Sequence, residues 1–145
     1  MEWKEEAIEK LRRYKAMQTA AKNIPEQICM LEHSATSLRS ASAPRLGGSG
    51  GARGRENAMI NNLAERQELE WSLARVQQWL AVMNRGLDAL TPEEIVILQK
   101  MYLFPERGAV DRLCSDLGVE QATVYRKRDK ALRTFTVAMY GFPET

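Results

Sequence analysis

The 145-residue chain has two cysteines and one histidine. Cys29 and Cys114 are too few for the disulfide framework of a small secreted domain, and they fit a reducing compartment. Cys114 falls at a core position, and Cys29 lies on an apolar helical stripe. His33 has no neighbouring Cys, His or acid at metal-ligand spacing, so neither a metal nor a cofactor is expected. No apolar run is long enough to span a bilayer, and the charged N-terminus lacks a signal-peptide core. A cytoplasmic protein with no membrane contact is expected. The paired carboxylates Glu5-Glu6 and Glu93-Glu94 fall on solvent faces or a helix cap. Catalysis needs activated groups converging in one pocket, and nothing here supplies them, so no catalytic residue is assigned.

What the chain has in abundance is helical periodicity. Trp3, Ala7, Leu11, Tyr14, Met17 and Ala21 recur at spacings of three and four, with charges between them. Ile24, Ile28, Leu31, Ala35 and Leu38 continue the pattern. Asn23 and Pro25 should interrupt or kink it, with a second short helix starting near Pro25, because proline suits a helix's first turn. Residues 1–38 are therefore read as N-terminal helices. Residues 39–54 are mostly Ser, Ala, Gly and Arg around Gly47-Gly48-Ser49-Gly50-Gly51, a flexible linker. A phosphate-binding loop is the sharper reading, but no strand precedes it and no Gly-Lys-Ser/Thr follows.

Residues 55–90 read as one long helix. Leu69, Leu73, Val76, Leu80, Met83, Leu87 and Leu90 alternate steps of four and three, a heptad seam that packs against another helix. Ile60, Leu63 and Ala64 widen the apolar stripe. Trp71 and Trp79 lie off the seam, and with Trp3 they are expected in the core, so the helix should bury more than one face. The seam fits either the N-terminal helices folded back antiparallel or a second copy, a homodimer through 69–90. Gly86 should loosen the end of this helix.

Residues 91–145 carry the strongest local signals. Thr91-Pro92-Glu93-Glu94 combines a capping threonine, a proline at the first helical position and a Thr-x-x-Glu capping box. Ile95, Leu98, Met101 and Tyr102 share a face, and Phe104 to Gly108 form a turn. Val110, Leu113, Cys114 and Leu117 mark the next helix, which ends at Gly118 in a turn needing a left-handed backbone. The last helix spans 120–140. Its core face is Val124, Ala131, Leu132 and Phe135. Gln121, Ala122, Tyr125, Arg126 and Asp129 point away, with Thr123, Lys130 and Arg133 at the rim. Arg126, Lys127, Arg128, Lys130 and Arg133 stand against the single acid Asp129. A helix, a glycine turn and a basic second helix form the helix-turn-helix pattern, in which the second helix enters the DNA major groove. Gln reads adenine and Arg reads guanine by paired hydrogen bonds, while Lys and Arg further along hold phosphates. The expected DNA-binding set is Gln121, Ala122, Thr123, Tyr125, Arg126, Lys127, Lys130 and Arg133. Arg39, Arg45, Arg53 and Arg55 form a second basic stretch, which could grip DNA as an arm; the sequence leaves open whether residues 39–54 contact DNA.

Residues 90–135 resemble region 4 of the sigma-70 family, the part that binds the −35 promoter element. The matching pieces are Leu90-Thr91-Pro92-Glu93-Glu94, Val96-Ile97-Leu98, Met101-Tyr102, Leu113, Leu117-Gly118-Val119, Thr123-Val124-Tyr125-Arg126 and Lys130-Ala131-Leu132-Arg133. The resemblance places the family's DNA-reading positions on Gln121, Ala122, Tyr125 and Arg126. Glu120 departs from the family's Ser or Thr cap, Ala122 has no hydrogen-bonding group, and Lys127 replaces an apolar residue. Nothing resembles region 2, so a stand-alone sigma factor is not implied. The layout resembles small phage and prophage transcriptional regulators of the RinA/ArpU type.

The expected fold is therefore all-α: a long-helix hairpin or coiled coil followed by a sigma region 4-like helix-turn-helix domain. The expected function is sequence-specific transcriptional regulation on double-stranded DNA, nucleoid-associated in a bacterial host, with RNA polymerase as a further partner. The alternatives are a coiled-coil protein-interaction module and a phage DNA-packaging recognition subunit.

Overall fold

The computed structural model describes residues 2–40 and 51–141, with side chains described from residue 53 in the second stretch. Most of the described residues are helical, with no strand among them. The order is α1 (Glu2–Ser40), α2 (Gly51–Asp88), α3 (Pro92–Leu98) continued by a π-helical turn (Gln99–Leu103), α4 (Ala109–Leu117) and α5 (Gln121–Tyr140). None of these helices is long and apolar enough to cross a membrane.

Two expectations about the first half are corrected. Pro25 does not divide the N-terminal helix, because α1 runs through it without a break. Proline removes the N–H that would meet the Ala21 carbonyl. Its ring is solvent-exposed, and the apolar stripe keeps its phase on both sides. The expected bounds 39–54 are also corrected at both ends: Arg39 and Ser40 close α1, and residues 51–54 already belong to α2. Arg45 and residues 41–50 lie outside the described residues.

The chain divides into two units, Met1–Gln18 with Gln78–Thr145, and Thr19–Gln77. The first unit holds the large core. Ala7, Leu11 and Tyr14 of α1 meet Met83 of α2, together with Leu98, Tyr102, Leu103, Leu132, Phe135 and Met139. Tyr14 is anchored by its hydroxyl, which donates to Asn84 Oδ1 at 2.8 Å. A second cluster joins Ile97, Leu113 and Val124, flanked by Val110, Cys114, Leu117 and Val119. Gly86 does not loosen α2. It lets α2 and α5 close on each other, since a Cβ there would sit 2.6 Å from Phe135 Cδ1 and 2.7 Å from Met139 Cγ.

The second unit has a thin interior. Ala35 is its only buried apolar residue among those described. The Asn62 amide is buried and donates to the Leu31 carbonyl at 2.8 Å, while its Oδ1 accepts from Arg66 at 2.9 Å. Leu69, Leu73 and Val76 are half-buried. Ile60, Leu63, Ala64 and Trp71 are exposed, which corrects the expectation that this stretch buries more than one face. Trp3 and Trp79 do pack against the first unit's core, whereas Trp71 is 67% exposed. Cys29 is likewise exposed rather than part of a buried stripe.

Candidate nucleic-acid interface

Local chemistry fixes both ends of the segment leading to α5. Thr91 accepts a hydrogen bond from the Glu94 amide at 3.2 Å, and Glu94 Oε1 accepts one from the Thr91 amide at 3.0 Å. This reciprocal pair satisfies two of the donors that a helix start leaves open. α4 ends at Gly118, whose φ of 65° is left-handed. A side chain there would crowd the following carbonyl, so glycine sets the angle at which α5 leaves. The Val119 amide closes the turn on the Cys114 carbonyl at 3.1 Å.

α5 has two faces of different chemistry. Val124, Ala131, Leu132 and Phe135 are fully buried. Thr136 is also buried and meets its need locally, its hydroxyl donating to the Leu132 carbonyl at 2.8 Å. Gln121, Ala122, Tyr125, Arg126, Lys130 and Arg133 are exposed, and Thr123 and Lys127 are half-buried. Ala122, Arg126, Lys130 and Arg133 fall at steps of four, four and three, so they share one stripe opposite the buried face. Arg126 Nη2 donates to Thr123 Oγ1 at 3.2 Å. Glu120 occupies the N-cap position but its carboxylate makes no capping bond.

Asp129 is not directed outward as expected. It is partly buried, 3.2 Å from Lys4 Nζ and 2.8 Å from Arg128 Nη2. Burial pushes its carboxyl up, but the hydrogen bonds from Arg128 and Lys4 outweigh this and hold it below its ordinary value. Burial pulls the Arg128 guanidinium down, and its bonds to Asp129 and the Tyr102 hydroxyl more than compensate, leaving it raised. The only acid in the basic stretch is thus matched by cations of its own, and it subtracts little from Arg126, Lys130 and Arg133.

Arg128 was not singled out by the sequence, yet it organises this corner. Its guanidinium lies 4.9 Å from the Tyr125 ring centroid and its Nη1 lies 3.4 Å from Tyr102 Oη. A cation over a ring is attractive, so Arg128 holds the exposed tyrosine in place. The i, i+3 spacing of Tyr125 and Arg128 is the only sequence signal for this. Lys127 is tied to Glu93 of α3, so its first partner is a carboxylate of the protein. Lys130 and Arg133 have no ion-pair partner among the described residues. The outward charge is therefore carried by Arg126, Lys130 and Arg133, three of the five cations in the sequence cluster.

Comparison with protein-family models, curated proteins and solved structures gives no match to this chain.

Proposed function

We propose that this chain is a sequence-specific, double-stranded DNA-binding transcriptional regulator of the phage or prophage kind. In this reading α4, the Gly118 turn and α5 form a sigma region 4-like helix-turn-helix, carried by a hairpin of α1 and α2. α5 enters the major groove. Gln121, Tyr125 and Arg126 address base edges, and Lys130 and Arg133 meet phosphates on either side. Thr123 positions Arg126, and Ala122 leaves room for close approach. Lys127 reaches phosphate only by leaving Glu93. The observation that carries the reading is the exposed polar N-terminal half of α5, with a cationic stripe behind it and the opposite face locked in the core.

Selection of bound duplexes from fragmented genomic DNA, followed by isotherms at several salt concentrations, tests it. Enrichment of a few promoter-proximal sites is expected. Arg126→Ala should cost about 1–3 kcal/mol on those sites and relax the preference at one base position. Lys130→Ala should weaken all duplexes alike and reduce the salt slope by about 1. Absence of duplex binding at low salt would end this reading.

One observation favours a second reading, a protein-interaction module that docks on a partner such as RNA polymerase. Met30, Ile60, Leu63 and Trp71 are all exposed in the second unit. Arg126→Ala combined with Lys130→Ala separates the readings, since it leaves a partner complex intact and removes DNA binding.

A further inference from the structure

The 19–77 unit exposes a self-complementary patch centred on Trp71. Its indole is 67% exposed, and Arg75 stands 5.4 Å from the ring centroid. Beside it, Ala64, Gln67, Glu68 and Ser72 form an open, shallow surface. The patch therefore offers a large apolar side chain, Trp71, next to a small one, Ser72, on the same stretch of α2. A surface with both halves of a contact closes by two-fold symmetry, each copy giving what the other receives.

Charge supports the same occupant. Glu68 and Arg75 are seven residues apart, so they lie on one flank of α2 on either side of Trp71. In an antiparallel crossing about a two-fold axis, equivalent flanks face each other. Glu68 then looks toward Arg75 of the other copy, and the pair occurs twice. A parallel crossing would give neither pair.

We infer that this protein self-associates into a two-fold dimer through the Trp71 patch, with α2 segments crossing antiparallel about an axis between Trp71 and Ser72. The surface differs from the 69–90 heptad seam, whose residues are already buried or half-buried within the chain. The inference stands whether or not α5 reads DNA. A crossing of two helix segments is small beside the about 800 Å² per partner of a standard interface, so the dimer dissociates on dilution.

Sedimentation of the full chain across a wide concentration range, without DNA, tests this. A reversible monomer–dimer equilibrium is expected. Trp71→Ala should weaken it by about 30-fold, as for a buried tryptophan at the centre of an interface. Glu68→Arg and Arg75→Glu should each weaken it, and the two together should restore most of the loss. All of these side chains are on the surface of the single chain, so circular dichroism should show an unchanged fold. A monomer at every concentration, a larger ring, or association indifferent to Trp71 would overturn the inference. Failure of the double exchange to restore association would overturn the antiparallel crossing.

Discussion

The two units use the same kind of helix and reach opposite interiors. Residues 2–18 and 78–141 bury Leu11, Met83, Ile97, Leu98, Leu113, Val124, Leu132 and Phe135 almost completely. Residues 19–77 bury only Ala35 and Asn62 among those described. The second unit is not short of apolar residues, since Met30, Ile60, Leu63 and Trp71 all belong to it. The difference lies in how many elements meet. In the first unit, segments of α1 and α2 meet α3, the π-helical turn and α5, so a side chain such as Phe135 is enclosed from several directions. A pair of helices can cover only the stripe on each that faces the other.

That contrast is broken most severely at Phe135. Phe135→Ala should cost about 3–5 kcal/mol through lost burial and a residual cavity, read by denaturant unfolding. Trp71→Ala, measured in dilute solution, should change stability by less than about 0.5 kcal/mol, because the indole is already in water. Equal costs would mean that the two interiors are not different in kind. Gly86→Ala sharpens the same point at the level of a single methyl group. Alanine is the better helix former by about 1 kcal/mol, and at an open helix position the exchange would stabilise. Here the new Cβ meets a fully buried ring at 2.6 Å, and overpacking of about 1–3 kcal/mol should reverse the sign.

The smallest effect concerns acid. Asp129 is held below its ordinary value near 3.8, so it favours the folded state above about pH 4. That contribution should fade as pH drops through the depressed folded value, where the carboxyl is protonated in both states. Melting curves of the wild type and Asp129→Asn should differ near neutrality and converge as pH falls past the depressed folded value. A constant gap would show that the Lys4 and Arg128 contacts do not act through charge.

Much of the C-terminal half was legible because its signals are local. The Thr91 capping box, the turn at Gly118 and the buried face of α5 follow from hydrogen-bonding groups, a dihedral angle and a period of 3.6 residues. The outward positions Gln121, Ala122, Tyr125, Arg126, Lys130 and Arg133 follow from the same period. Contacts distant in sequence were not legible. Nothing near Lys127 in the chain announces Glu93, and nothing near Asp129 announces Lys4. The sequence therefore counts five cations on the basic helix, and the fold leaves three of them facing outward.

By itself, then, the sequence determined where the capping box starts α3, where Gly118 turns the chain and which stripe of each helix is apolar. Those properties depend on a residue and its neighbours within a turn or two. Tertiary structure alone decided which stripes are covered. It kept α1 unbroken through Pro25. It made Gly86 a point of close approach instead of a weak point. It enclosed Trp79 while leaving Trp71 in water. Burial needs atoms arriving from other elements, and which elements arrive depends on the path of the whole chain.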